Sequence, residues 1–420
     1  MTRSVSVAGR LSRRCLIGAL VAVVGGGCGA TATPSVGGLP SSPAALPSAA
    51  ASSGATPRAS AAVNPSAAPS PLEAFGPLSS VPFNTAKAAT LQQVLDDAVA
   101  HGAPDAYAAV VTKDGAWAGA AGIGGPGGRK ATADDEFYLA SVTQVFTTAL
   151  IMRLAEEGRI DLDAPLASYL GGLKTDTNGA TVRQALGMRS GLPDYDPNEA
   201  PTAIQADAGH VWSVEEIAAH FVKPTSAPGS AWIHAGPNFV LLAVAAEHVT
   251  GSSFANALRT EVLDPVGAAR IVQQGFGVVT PKPWALPTKA HAAPIALADY
   301  GADGVISYMS SVSFSFGSGS MAGDAASVAA WAWHLMAGDV LKPASLQAML
   351  PGSDGHGLGL ERLSDLGDRD VIGLTGQKTA YGSMLAVIPA EQVVVVFFVN
   401  DPEFIFESYV RDLISASRAG

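Results

Sequence analysis

Cysteine, charge and aromatic side chains are all scarce in this chain. Only two cysteines occur in 420 residues, Cys15 and Cys28, both close to the N-terminus. Beyond residue 28 there is no thiol, which excludes a disulfide framework, a Cys nucleophile and a Cys metal site from the rest of the chain. Charged residues make up 15% and aromatic residues 7%, and the formal net charge is −11. With acidic residues in excess, no basic stripe and no recognisable binding motif, nucleic acid is not an expected partner. The eight histidines show no metal-ligand spacing, so neither a metal nor another cofactor is expected. Gly122 to Gly128 is glycine-rich, but Pro126 interrupts it and no helix follows at once. It reads as a loop and not as a phosphate cradle. Glu156 and Glu157 are adjacent, so on a helix they point to different sides and make a poor carboxylate pair.

What is present is unevenly spread. Arg3, Arg10, Arg13 and Arg14 precede a short apolar core, Leu16 to Val24, too short for a membrane span. Ser12-Arg13-Arg14-Cys15-Leu16-Ile17 resembles a twin-arginine export signal. Gly25-Gly26-Gly27-Cys28 resembles a bacterial lipobox, with Gly25 where Leu, Ile or Val is usual. Residues 1–28 are therefore expected to be a signal peptide, and Cys28 a lipidated N-terminus facing the cell wall; cleavage and secretion is the alternative. Residues 29–82 are rich in Ala, Ser and Pro, and Arg58 and Glu73 are their only ionisable side chains. Such a segment buries too little apolar surface to fold and is expected to be a disordered tether. The folded domain is expected over 83–420.

Within it, Ala88, Leu91, Val94, Leu95 and Ala98 recur at helical spacing and predict a helix over 86–101. Apolar runs on both sides of Asp114-Gly115 predict a β-hairpin, Tyr107 to Lys113 and Ala116 to Gly122. A second helix is expected from Ser141 to about Glu157, stopped by Gly158. Residues 160–300 carry mostly helical patterns and Pro/Gly-rich loops. Strands are expected at Met384 to Ile388 and Gln392 to Asn400, around a Pro389-Ala390-Glu391 turn. Asp401-Pro402-Glu403 then reads as the cap of a terminal helix with Ile405, Tyr409, Val410 and Leu413 on one face. This order implies an antiparallel sheet built from both chain ends, covered by the terminal helices, with a helical lobe inserted: an α+β class.

Several motifs carry a resemblance to a known family. Phe137-Tyr138-Leu139-Ala140-Ser141-Val142-Thr143-Gln144-Val145-Phe146 resembles the active-site segment of penicillin-recognising serine enzymes. That family holds serine β-lactamases, D-Ala-D-Ala carboxypeptidases and related esterases. The chain looks class C-like, with a lipoprotein arrangement of actinobacterial type. Leu154 to Leu166, Thr181 to Tyr195 and His356-Gly357-Leu358-Gly359-Leu360 are similar to further family segments, in order and correctly spaced. The resemblance runs from Phe83 to the end. It implies the β-lactamase/transpeptidase-like fold, with the active site in a cleft between sheet and helical lobe.

In that family the nucleophile is the Ser of S-x-x-K, and the Lys takes its proton. Here Ser141 is present and Gln144 stands for the Lys; an amide is not a base near neutral pH. The family's Y-x-N motif aligns with His234-Ala235-Gly236, so the proton-shuttling Tyr is His234 and the substrate-holding Asn is Gly236. Asn238, two residues on, is not assumed to substitute. The K-T-G or H-T-G motif aligns with Leu374-Thr375-Gly376, and a leucine can neither attract a carboxylate nor share a proton. A rival register on Lys378-Thr379-Ala380 lacks the final Gly and shifts the strand by about 13 Å; Lys378 is expected at the rim. The resemblance further implies an oxyanion hole from the N–H groups of Ser141 and of a residue near Tyr381–Ser383. Losses within one catalytic unit are strongly non-additive. One expectation is an impaired enzyme whose cleft, lined by Gln144, Gly236, Leu374, Thr375 and Gly376, binds a cell-wall peptide or peptidoglycan ligand. The other is an active serine hydrolase with Ser141 as nucleophile and His234, whose ordinary pKa is near 6.5, as base.

Overall fold

The computed structural model describes residues 75–274 and 309–418, apart from Pro197, Ala208, Asp368, Arg369, Thr379, Ala380 and Pro402. The signal segment, Cys28 and the tether up to residue 74 lie outside the described residues, as does the Thr379-Ala380 part of the rival register. Among the described residues no helix is long and apolar enough to cross a membrane.

Among the described residues, ten strands form two sheets. They are β1 (Asp105–Thr112), β2 (Gly115–Gly125), β3 (Arg129–Lys130), β4 (Phe137–Tyr138), β5 (Val272–Gln273), β6 (Met321–Gly323), β7 (Glu361–Arg362), β8 (Ile372–Lys378), β9 (Tyr381–Ile388) and β10 (Val393–Val399). The large sheet has the order β3-β2-β1-β10-β9-β8-β7, with every pair antiparallel, and β4-β6-β5 form a small one. The pairing of β1 with β10 joins the two chain ends, as the order of sequence patterns implied.

The strands of the sheet centre are apolar at every position because both faces are covered. Successive residues of a strand point to opposite faces. Val393, Val395 and Phe397 pack on one side with Leu91, Leu95, Ala98, Val410, Leu413 and Ile414 of the terminal helices. Val394, Val396 and Phe398 pack on the other side with the helical lobe. The first helix, α1 (Thr85–Ala100), starts where Asn84 Oδ1 accepts from Lys87 N, a side-chain cap for an otherwise orphaned donor.

Four boundaries differ from the sequence reading. The hairpin turn is Lys113-Asp114, with Gly115 already paired to Thr112. A Cβ on Gly115 would stand 2.7 Å from Val81 O, so this glycine serves close chain approach. β2 runs on to Gly125, through part of the glycine run read as a loop. The C-terminal helix begins only at Glu407; Ile405 is 78% exposed before it, while Val410 and Leu413 are buried. Finally, ordered packing begins eight residues before Phe83. Phe75 is buried, its N donates to Met336 O, its ring meets Trp333 edge-on at 4.7 Å, and Trp333 Nε1 donates to Gly76 O. One aromatic in a polar, small-residue run was enough to dock it, because its partner is far away in sequence.

Candidate active site

Ser141 does not itself open a regular helix. It lies in a short 3-10 turn, Ala140–Val142, that feeds helix α2 (Thr143–Glu156). Ala140, just before it, has φ +46°, a left-handed conformation that costs a residue with a Cβ. Surrounding structure holds the turn there. Leu139 N donates to Met321 O, Met321 N donates to Thr143 Oγ1, and Ser383 Oγ donates to Leu139 O at 2.7 Å. Ser141 is partly exposed while nearly all of α2 around it is buried.

Strand β8 passes directly against this turn. A Cβ on Gly376 would stand 2.6 Å from Leu139 O and 2.9 Å from Ser141 N. Only glycine lets the strand approach so closely. β8 meets the Ser141 N–H through Gly376, and Ser383 on β9 lies next to the turn, on Leu139.

Gln144 lies one turn after Ser141 on α2 and is 1% exposed. Its Oε1 is buried with no hydrogen-bond partner among the described residues. The position that would hold a base therefore holds a buried amide. Leu374 is 4% exposed and sits in the core shared with α2. Thr375 is on the opposite pleat of β8 and is half-buried.

The facing wall is built on Asp194. Its Oδ1 accepts from Gly236 N at 3.1 Å, at the start of the helix Gly236–Thr250, and from Tyr195 N at 3.0 Å. Its Oδ2 lies 3.8 Å from His234 Nδ1. Burial alone would raise the Asp194 carboxyl, but the facing His234 imidazole and the N–H groups of Tyr195 and Gly236 outweigh it, and its pKa is lowered. Asp194 in turn raises the His234 imidazole, against burial. His234 is half-exposed, and among the described residues no hydrogen bond joins it to Ser141.

A Cβ on Gly236 would stand 3.1 Å from Tyr195 Cε2 and 3.6 Å from Ser318 Oγ. The room an Asn side chain would need is thus occupied by the Tyr195 ring. Asn238 is fully buried in the same helix, and neither side-chain polar atom has a partner among the described residues. It does not replace the missing Asn.

Two further contributors escaped the sequence reading, and a third, Lys378, lies elsewhere than expected. The serine-rich run 310–320 forms the floor: Thr147 Oγ1 donates to Gly317 O, and a Cβ on Gly319 would meet Ala140. Trp232 stacks on His356 at 4.0 Å beside His234, and burial raises the Glu361 carboxyl against the pull of His356 and His234. Lys378 is half-buried, not at an open rim, with Nζ 6.0 Å from the centre of the Phe314 ring. The only hint was that serine run, which serves no obvious helix or strand.

The profile of a family described as Beta-lactamase matches residues 91–416. The D-stereospecific amidohydrolase from a Streptomyces species superposes with a TM-score of 0.65 and 26% identity, covering 79% of this chain and 99% of that one. D-amino acid amidase from Ochrobactrum anthropi SV3 superposes with a TM-score of 0.67 and 23% identity, over 80% and 100%. Penicillin-binding protein 4* of Bacillus subtilis is 29% identical over 137 residues, 31% of this chain. That match spans 29% of the relative's length.

Proposed function

Because the chain belongs to the beta-lactamase family, we propose that it is an exported domain, tethered to the membrane through a lipid on Cys28, whose cleft binds a peptidoglycan-related or D-amino-acid-containing peptide without turning it over efficiently. The observation that carries this is the setting of Ser141. Its base position is a buried Gln144 amide, and the nearby imidazole faces Asp194 at 3.8 Å. A serine hydroxyl without a base is a weak nucleophile. Leu374 in the core and the Tyr195 ring beneath Gly236 support the same reading, since each occupies the place of a group that relatives use. The ligand class is supported by the likeness, at 26% identity, to a D-stereospecific amidohydrolase.

One observation favours a second reading, a working serine hydrolase. His234 is backed by a carboxylate, as an orienting partner would be, and Ser141 is partly exposed on a strained turn. Intact-mass measurement after exposure to a fluorophosphonate and, separately, to a penicillin decides between them. No adduct over hours on folded protein is the expected outcome. A stoichiometric adduct on Ser141, absent in Ser141→Ala and weakened in His234→Ala, would establish the hydrolase reading instead.

A further inference from the structure

Where the two chain ends join in the large sheet lies a buried carboxyl outside the cleft. Asp105 opens β1 and is 0% exposed. Further along the ladder Tyr107 pairs with Phe398 of β10, and both pack in the core on the lobe face. Side chains alternate along a strand, so Asp105 and Asn400, two residues outward on either side of that pair, face the same way. Asn400 N donates to Asp105 Oδ1 at 2.8 Å. Tyr107 OH lies 3.4 Å from Asp105 Oδ2 and 3.4 Å from Asp135 Oδ2. A Cβ on Gly124 would stand 2.6 Å from Asp135 Oδ2 and 2.7 Å from Tyr107 OH, so the β2 backbone closes over both.

A hydroxyl carries one hydrogen, so Tyr107 donates to one of these carboxyls and can only accept from the other. Asp135 is the ionised one. Arg129 Nη1 lies 2.9 Å from each of its oxygens, and Thr132 Oγ1 donates to Oδ1 at 2.8 Å. Asp105 has no cation within 4.0 Å among the described residues. A carboxylate drawn wholly out of water without a cation is costly, whereas a protonated carboxyl is neutral and donates to Tyr107. The Asn400 side chain agrees: its Nδ2 stands beside Asp105, yet is buried with no partner among the described residues. An ionised carboxylate would draw that donor. The titratable and charged groups that face Asp105 are Tyr107 on its own strand, Asp135 before β4 and Arg129 of β3. Burial raises the Asp105 carboxyl well above its ordinary range, and Asp135 adds to this, against the Asn400 N–H, Tyr107 and Arg129.

We propose that Asp105 carries a proton in the native state, and that the hydrogen-bond chain from Asp105 through Tyr107 to Asp135 ties the joined chain ends to the segment leading into the Ser141 turn, a tie that raising the pH releases. Asp135 stands two residues before β4 and six before Ser141. Phe137 of β4 stacks on Phe398 at 4.7 Å and meets Tyr107 at 5.7 Å, so the segment is held to the same two strands. Loss of the proton leaves two negative charges around one hydroxyl, with Arg129 already on Asp135. Because the Asp105 value is raised, the native state binds this proton more tightly than the unfolded chain does. Its contribution is fully present below the ordinary carboxylate value of about 3.9 and is lost as pH rises through the raised native value. Asp105 thus acts as a positioning residue, through Asp135, whether the cleft binds its ligand or turns it over.

The test is infrared spectroscopy of the full-length chain made with carbon-13-labelled aspartate. The label sets Asp105 apart from Glu136, whose carboxyl burial raises to about 8. The expected result at neutral pH is a protonated-aspartate band in the wild type that is missing in Asp105→Asn. An Asn here keeps an acceptor for Asn400 N and a donor for Tyr107, so the variant should match the wild-type urea midpoint at mildly acid pH. As pH is raised to about 9, the wild-type midpoint should fall further than that of Asp105→Asn. Amide exchange at Leu139 and Val142, whose N–H groups bond to Met321 O and Leu139 O, should quicken in the wild type beyond the intrinsic rise, and not in the variant. No protonated-aspartate band in the wild type overturns the proposal, even if Asp105→Asn does not fold. So do equal pH slopes, exchange in the turn that is the same in both chains, or a wild-type midpoint that calcium ions raise and Asp105→Asn abolishes, which would put a metal cation where the proton is assigned.

Discussion

The two faces of the large sheet are built to different standards. On the face covered by the terminal helices, Val393, Val395 and Phe397 meet Leu, Val and Ile side chains in an apolar layer. On the lobe face the same strands meet a layer that leaves polar atoms unsatisfied. Gln144 Oε1, the Tyr195 hydroxyl and both polar side-chain atoms of Asn238 are buried without partners among the described residues. Burial drives the Tyr195 hydroxyl well above its ordinary range, and Asp194 adds to it. Each such group costs roughly 1–3 kcal/mol. A fold tolerates this where geometry matters more than stability. One face holds the domain together, and the other is where the chain spends that stability on a cleft.

Substitutions on either face sharpen the contrast. The largest effect belongs to the helix-covered face. Phe397→Ala is expected to cost about 3–5 kcal/mol in urea denaturation, while the folded fraction keeps its ligand affinity. A loss of that affinity at equal folding would show that the two faces are coupled. Next comes Gly376→Ala on the lobe face. One added methyl group must displace the Ser141 turn, so a stability loss of about 1–3 kcal/mol is expected together with changed ligand affinity. Unchanged affinity would mean that the turn is not part of the binding surface.

The smallest effect is electrostatic. His234 has a raised pKa through Asp194, so the native state binds its proton more tightly than the unfolded state does. Its contribution is fully present below about 6.5 and is lost as pH rises through the raised value. Asp194 is lowered, so its contribution is present above its ordinary carboxylate value and is lost as pH falls through the lowered one. Both side chains are half-exposed, so screening limits the pair to about 1 kcal/mol or less. Melting temperature should therefore decline modestly as pH is raised past neutrality in the wild type, and this part of the slope should vanish in His234→Gln. An identical slope in the variant would show that the 3.8 Å approach carries no coupling.

Local patterns were legible wherever one side chain's neighbours lie close in sequence. The helix over 85–100, the β1–β2 hairpin and the β9–β10 pair all follow from periodicity and turn chemistry within a dozen residues. Ser141, Gln144, Gly376 and Leu374 were legible through ordered motifs, and the Beta-lactamase match over 91–416 agrees with the family they resemble. The early docking of Phe75 was not legible, because its partner Trp333 is more than 250 positions away. Ile405 fitted a helical face on paper, yet the helix starts only at Glu407.

By itself, then, the sequence determined the first helix, the β1–β2 hairpin, the β9–β10 pair and the family, since each depends on residue type and short spacing. Only the tertiary structure decided what stands in place of the lost groups. Asp194 caps Gly236 from 42 positions away, Tyr195 fills the space beside it, and Lys378 at the end of β8 lies over Phe314. Side chains from separate segments come together through the packing of sheet against lobe, and no local pattern encodes that distance.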